Sequence, residues 1–428
     1  MIAMLFLTLF FFMLIGVPIA VSIGLSSLIY ILVKGIPLVV VAQRIFTGTD
    51  SIILVAIPAF IIAGAVMEVG GLAKRLVGFS DVLVGKLTGG LSMVTIMSGA
   101  FFSAISGSNV ATTAAVGGIM VPEMKKRGYE KSYAAAVAAV GGVMGTIIPP
   151  SLSMVIFGAI ANTSISALFL AGIPVGILMV TSLLVVSYIV GKRKGYEGDK
   201  TPVTTARFFK AFKEAIWALG TPIILIGGIL GGIFTPTEAA VFSVVYGVLV
   251  SRFIYRELTF KELPKVLLKA TMNSAVIMFI IANAALFGWL MAAEQVPQQV
   301  LNMLMGVSDN PIVILLIINL SLLIAGTFME TAALLLIVTP VFLPVIMTLG
   351  IHPVHFGLMM ILNLSIGNIT PPLGVCLYTG AMISGTKVEA VARNIGYYFL
   401  GLLVILGLVT YIPDISLALP KALMPKLF

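Results

Sequence analysis

Long apolar runs, separated by short basic or Gly/Pro-containing stretches, organise this chain from end to end. A membrane-crossing helix needs roughly 20 apolar residues. Runs at about 3–33, 51–67, 168–190, 216–233, 237–252, 271–290 and 394–412 are the candidate spans. The run at 91–121 is different, because Lys86 precedes it and Lys125-Lys126-Arg127 follow it. Basic flanks favour the inside, so this run enters and returns as a re-entrant hairpin. Its expected tip is the turn-forming cluster Ser106-Gly-Ser-Asn109. Residues 311–345 form a second hairpin, with Gly326-Thr-Phe-Met-Glu-Thr331 at its tip.

After each hairpin comes an apolar stretch interrupted by two prolines. The interruptions are Gly145-Thr-Ile-Ile-Pro-Pro-Ser151 and Gly367-Asn-Ile-Thr-Pro-Pro-Leu373. Proline lacks an N–H and clashes with the preceding turn, so Pro149-Pro150 and Pro371-Pro372 break their helices, about 132–163 and 353–384. A break at membrane depth frees backbone groups that hydrocarbon cannot satisfy. They must face protein, an ion or water.

The two halves can be superposed as sequence. Pro371 lies 222 positions after Pro149, and the same offset carries Gly145 to Gly367, Gly158 to Gly380 and Pro122 to Pro344. Upstream, Phe60-Ile-Ile-Ala meets Phe279-Ile-Ile-Ala at an offset of 219. The expected units are 1–190, a first repeat, and 191–236, a cytoplasmic loop with a connecting span. A second repeat follows at 237–412, then a periplasmic tail at 413–428. The basic stretch 191–214 fixes the inside, and Lys74-Arg75, Arg252 to Lys269 and Lys387 to Arg393 agree with it. Five crossings then separate the hairpins. An odd number makes the repeats inverted, as in transporters that alternate access around a central site. The N-terminus is expected in the cytoplasm and the C-terminus in the periplasm. Residues 34–50 and 256–269 precede equivalent spans and read as interfacial arms or as plain connections.

Composition narrows the class. The chain has 428 residues, 60% hydrophobic and 10% charged, where soluble domains carry ~25% charged residues. The fold class is an all-α polytopic membrane protein, and a β-barrel would show short alternating segments instead. The net charge of +9 sits in loops between apolar runs, so it does not read as nucleic-acid binding. Cys376 is the only cysteine, which excludes a disulfide and a cysteine metal cluster within the chain. Met1-Ile-Ala-Met-Leu-Phe lacks a basic n-region, so the start reads as a span and not as a signal peptide.

Hairpin tips and helix breaks together offer hard oxygen donors of the kind sodium prefers. The first tip supplies Ser103, Ser106, Ser108 and Asn109. The first break supplies Thr146 and carbonyls from Gly145 to Ile148. The second tip supplies Gly326, Thr327 and Thr331, and the second break Asn368 and Thr370. Mirrored sets predict at least two Na+ ions, although Ser and Asn at such places also serve as helix caps. Amides exposed at the restarted helices favour an anion, expected beside Ser108, Thr146, Pro150, Glu330 and Pro372. Glu330 is an acid at expected membrane depth and so a functional candidate. Thr235-Pro-Thr-Glu238 reads as a capping box. Glu68 reads as interfacial, and His352 with His355 lacks the third ligand a catalytic zinc needs.

Gly227-Gly-Ile-Leu-Gly-Gly-Ile-Phe-Thr-Pro-Thr-Glu-Ala-Ala240 resembles the most recognisable stretch of the large membrane subunit of TRAP (tripartite ATP-independent periplasmic) transporters. Ala63-Gly-Ala-Val-Met-Glu-Val-Gly-Gly-Leu-Ala-Lys-Arg75 and Ile148-Pro-Pro-Ser151 look similar too, and the resemblance covers essentially the whole chain. It implies a sodium-driven importer of organic anions in a bacterial inner membrane. A periplasmic substrate-binding protein would deliver the cargo, and a small membrane subunit of about four spans would complete the complex. Relatives of the family move a transport domain against a scaffold in elevator fashion, with Ser-Asn-Thr tips holding sodium. Here Ser108-Asn109-Val110 matches the first two positions, while Met329-Glu330-Thr331 lacks the Ser and Asn, so the first sodium site is expected to be the better formed. The scaffold would contain 3–33, 216–233 and 237–252. Overall likeness leans to the sialic acid branch over C4-dicarboxylates. A self-sufficient symporter is the rival. An intramembrane enzyme would need a nucleophile–base set, a metal trio or paired aspartates, none of which the sequence offers.

Overall fold

Two antiparallel helices replace the first expected span. A computed structural model describes residues 2–428, and in it α1 (Ile2–Leu14) and α2 (Ile19–Lys34) are separated by a turn at Gly16, φ +84°. At the end of α2, Lys34 pairs with Glu294 at 2.7 Å, and midway a Cβ on Gly24 would lie 2.3 Å from Asn283 Oδ1. Had α1 continued the line of α2, Phe6 would lie far from that end. Instead its ring sits 6.0 Å from Phe287. The run 3–33 is therefore a folded-back hairpin. The expectation of a cytoplasmic N-terminus rested on a single crossing there.

The first half continues with α3 (Val39–Thr49), an amphipathic arm lying on the helix that carries Asn283, then α4 (Ala56–Val69) and α5 (Leu72–Val84). A helix–turn–helix pair follows, α6 (Gly90–Ser106) and α7 (Asn109–Lys126). The interrupted helix is α8 (Lys131–Gly142), a 3-10 turn over Val143–Thr146, and α9 (Leu152–Ile160). The long α10 (Ile165–Lys194) then returns to the basic linker.

The connection between halves is α11 (Thr205–Leu230) and α12 (Pro236–Leu249). Thr235 and Glu238 form the expected capping box. Thr235 Oγ1 accepts from the Glu238 N–H at 3.2 Å, and Glu238 Oε2 accepts from the Thr235 N–H at 2.8 Å. A π-helical turn, Val250–Ile254, closes α12. Next come α13 (Leu263–Ala293) and α14 (Val296–Met305). The second arm expected at 256–269 is not a separate element, because its last residues are the first two turns of α13.

The second half repeats the motif. The pair α15 (Pro311–Gly326) and α16 (Thr331–Thr348) is followed by the interrupted α17 (Pro353–Gly367) and α18 (Val375–Ser384), then α19 (Val388–Tyr411). The expected tail 413–428 contains α20 (Asp414–Leu423), anchored by Ser416 Oγ against His355 Nδ1 at 2.8 Å. His355 Nε2 faces the Thr410 carbonyl at 3.3 Å, and His352 Nδ1 accepts from the Val354 N–H. The two histidines are thus engaged in the fold.

Among the described residues, seven helical stretches are long and apolar enough to cross a membrane. One is α16, the second limb of the second pair. At 18 residues and 1.5 Å per residue it reaches about 27 Å. The limbs α6 and α15 are shorter.

The halves interlock by exchange. From the first half, α9 packs on α16 and α17 of the second. From the second half, α18 packs on α7 and α8 of the first. Glycines permit both contacts. A Cβ on Gly357 would lie 2.4 Å from the Phe157 ring, and one on Gly380 would lie 2.7 Å from the Ala135 carbonyl. A shared core follows, and the two breaks sit at its centre.

Candidate functional site

Each helix break is clamped by the tip of its own helix pair. Gly145 lies so close to the first tip that a Cβ there would be 2.4 Å from the Ser108 carbonyl. Its counterpart 222 positions on, Gly367, would meet the Gly326 carbonyl carbon at 2.5 Å. Backbone hydrogen bonds complete both clamps. The Leu152 N–H donates to Gly107 O at 3.3 Å, and the Leu373 N–H donates to Thr327 O at 3.0 Å. Both Pro-Pro bonds, Pro149-Pro150 and Pro371-Pro372, are cis.

Side chains join tip to break as well. Asn109 opens α7 and is almost fully buried. Its Oδ1 accepts the Thr146 N–H at 2.9 Å, which leaves Nδ2 buried without a partner. Asn368 ends α17, and its Nδ2 donates to Thr331 Oγ1 at 3.0 Å, which leaves Oδ1 buried without a partner. The 222-residue offset pairs Asn109 with Thr331 and Thr146 with Asn368. In the first half the amide is on the tip and the threonine at the break. In the second half these roles are exchanged.

The two half-sites meet in one cleft. Gly107, Ser108, Asn109, Thr146, Ser153, Glu330, Thr331 and Asn368 are among its lining residues. Its volume is about 20 Å³, room for a single water-sized species. Three helices start at the cleft, α7, α9 and α16, and α17 ends there. Helix N-termini favour negative charge and C-termini positive charge, so the cleft can host both signs side by side. No Lys or Arg lines it.

Of the residues expected to bind sodium, the cleft gathers Ser108, Asn109, Thr146, Thr331 and Asn368. Ser103 is fully buried one turn below the tip, its hydroxyl unpartnered. Ser106 Oγ is spent on Thr112 Oγ1 at 2.8 Å. Thr327 and Thr370 turn their hydroxyls back on the Ile324 and Ile366 carbonyls. The Thr146 carbonyl, expected to be free, accepts the Ser151 hydroxyl at 2.6 Å. Gly145 and Gly326 serve as contact points between tip and break. Ile148 and Pro149 line an apolar crevice shared with α6, α10 and α11.

Among the expected anion contacts, Ser108, Thr146 and Glu330 line the cleft, while Pro150 and Pro372 do not. Pro150 is buried behind the first tip, and Pro371 and Pro372 are exposed. Glu330 is exposed, and its carboxyl makes no hydrogen bond or ion pair among the described residues. Two serines escaped the sequence reading. Ser151 caps α9, accepting the Met154 N–H at 3.5 Å, and Ser153 lines the cleft from the first turn of α9. A serine straight after Pro-Pro was the available signal for a restarted helix.

Comparison with known proteins gives the family. Residues 6–415 match the model of the tripartite ATP-independent periplasmic transporter, DctM component. The C4-dicarboxylate TRAP transporter large permease protein DctM of Pseudomonas aeruginosa is 42% identical over 94% of both chains. The sialic acid TRAP transporter large permease protein SiaM of Vibrio cholerae is 38% identical over 95% of both. The isethionate TRAP transporter permease protein DctMQ of Oleidesulfovibrio alaskensis is 41% identical over 95% of this chain, which spans 64% of that longer relative. In fold, the chain is similar to the YdaH transporter of Alcanivorax borkumensis, TM-score 0.64 and 15% identity over 86% of each chain. These relatives carry the names of transporters and permeases, and the seven long apolar helices make this a multi-pass membrane protein. The chain belongs to the DctM family of tripartite ATP-independent periplasmic transporters.

Proposed function

We propose that the protein is the large permease of a sodium-coupled importer of an organic acid in a bacterial inner membrane. One observation carries this reading. Both tips and both breaks converge on a single cleft that holds a buried unpartnered oxygen, Asn368 Oδ1, beside a buried unpartnered donor, Asn109 Nδ2. A buried polar atom without a partner costs ~1–3 kcal/mol. A cation on the oxygen and an acid group near the N–H would remove both penalties. The exchange of amide and threonine supports two cation half-sites with Thr146 and Ser108 on one side, Thr331 and Asn368 on the other.

The cargo is an organic acid of the kind named for the relatives, a C4-dicarboxylate, sialic acid or isethionate. Identities of 42, 38 and 41% do not favour the sialic acid branch. At about 20 Å³ the closed cleft holds one ion and not such an acid, so a second ion and the cargo enter when the tips part. The helix pairs act as re-entrant hairpins, and with the interrupted helices they move as an elevator against a scaffold of α2, α4, α11, α12 and α13. Basic linkers lie inside. With α1 folded back, both chain ends face the periplasm. A small membrane subunit sits on the scaffold, and a periplasmic binding protein delivers the acid.

Uptake into proteoliposomes with both partners, a sodium gradient and a panel of acids tests the reading. Sodium-dependent uptake of one acid is expected. Equal uptake with potassium in place of sodium would overturn it, and uptake by this chain alone would favour a self-sufficient symporter.

A further inference from the structure

The two half-sites touch through one side chain that belongs to neither set of expected ligands. Ser365 lies on the last turn of α17, three residues before Asn368, and its own N–H···O ladder delivers the Asn368 N–H to the Ser365 carbonyl at 3.1 Å. Its side chain is fully buried. The Ser365 hydroxyl donates to the Ile361 carbonyl at 2.7 Å. It also meets the Thr146 hydroxyl across the boundary between halves.

A hydroxyl has one proton and two lone pairs. With the Ser365 proton directed to the Ile361 carbonyl, we assign Thr146 as the donor in the Thr146–Ser365 bond. Thr146 is itself 5% exposed, and its N–H is fixed by Asn109 Oδ1. With both its protons directed away, Thr146 Oγ1 offers only lone pairs to the cleft. That is the state a cation requires, because an inward O–H would repel it. The offset of 222 pairs Ser365 with Val143, so the first half has no reciprocal hydroxyl. The link runs one way, from the second break to the first.

We propose that Ser365 is a positioning residue that sets Thr146 as a cation acceptor and couples the two half-sites into one cooperative unit. This rests on the sodium reading above. A cation drawn to Asn368 tightens the end of α17, and Ser365 transmits that ordering to Thr146. Sodium then binds at the two places together, which suits a carrier that should not move half-loaded.

The test is the sodium dependence of uptake by the complete complex in proteoliposomes, at saturating acid, for wild type, Ser365→Ala and Ser365→Thr. Ser365→Ala should raise half-saturating sodium by about fivefold, the effect of losing one neutral hydrogen bond. It should lower the Hill coefficient towards one, with the maximal rate at high sodium retained. Ser365→Thr, which keeps the hydroxyl, should restore both. A purely structural role would lower the maximal rate and leave the Hill coefficient unchanged. If Ser365→Ala does not reach the membrane, Ser365→Cys keeps the volume, replaces oxygen with a poor acceptor and is read in the same way. An unchanged Hill coefficient in a folded variant, with wild type sigmoidal in sodium, overturns the coupling and leaves the transport reading standing. Wild-type uptake indifferent to sodium overturns both.

Discussion

Asn109 and Asn368 present opposite ends of their amides to the same cleft. Asn109 is held by its oxygen and leaves an N–H free, and Asn368 is held by its nitrogen and leaves an oxygen free. Only the second presents an oxygen with no partner. The sequence ranked the first tip above the second, since Ser108-Asn109 fits the family pattern and Glu330-Thr331 does not. The unpartnered amide oxygen lies at the second break. Asn368→Ala should therefore raise half-saturating sodium by about tenfold or more, the effect of losing ~1.4 kcal/mol of binding. Asn109→Ala should abolish sodium-dependent uptake, because it removes both the free donor and the anchor of Thr146. The orphaned Thr146 N–H costs ~1–3 kcal/mol, a drop in Tm but not loss of the fold. Uptake assays paired with thermal unfolding in detergent separate the effects. Full transport by Asn109→Ala would refute its role.

Gly145 and Gly367 make a stricter test of the repeat. A methyl group at either would push into the backbone of the facing tip, at 2.4 Å from Ser108 O or 2.5 Å from the Gly326 carbonyl carbon. Backbone cannot yield as a flexible side chain can. Overpacking of this kind costs about 1–3 kcal/mol. Gly145→Ala and Gly367→Ala should both lower Tm and both reduce uptake at least about tenfold, because each parts a tip from its break. Gly78→Ala is the control, since nothing lies within 4 Å of a Cβ there. If only one of the two glycines matters, the clamps are not functionally equivalent.

These residues also mark what the chain disclosed before its structure. The interrupted helices and paired limbs were legible because proline, glycine and apolar run length act locally. The second interrupted helix was expected at 353–384, and α17 and α18 span Pro353–Ser384. The α1–α2 turn was not, because Gly16 and Pro18 sit inside an unbroken apolar run where a kink and a reversal look alike. Short α14 and α20 hid in stretches too polar to read as spans. In the site, residue type pointed to Asn109, Thr146, Thr331 and Asn368, but which atom of each remains free is a tertiary fact. Ser106, Thr327 and Thr370 have the same chemistry but do not line the cleft. Only packing distinguishes the two groups.

Thr235 offers a prediction away from the cleft. Its capping box satisfies two N–H groups at the start of α12, at 3.2 and 2.8 Å. Thr235→Ala should destabilise the protein by about 1 kcal/mol, read as a lower Tm, with the sodium dependence of uptake unchanged. A shifted half-saturating sodium would mean that this segment reaches the cleft.

Glu330 separates capping from function. It occupies the position equivalent to Ser108, 222 residues on. Ser108 caps α7 by accepting the Ala111 N–H at 3.4 Å, whereas Glu330 precedes α16 and makes no such bond. If capping were the demand at this position, serine would serve it better. Glu330→Ser should then raise stability by about 1 kcal/mol. An exposed carboxylate without partner beside the cleft is instead poised to meet an ion or the cargo. Glu330→Ser and Glu330→Gln should keep or raise Tm, since no folded-state contact is lost. Both should lower uptake at least about tenfold, the effect of losing one interaction of ~1.4 kcal/mol. Measuring Tm and uptake on the same preparations decides the matter. Wild-type uptake by Glu330→Ser, with a raised Tm, would reduce Glu330 to an imperfect cap.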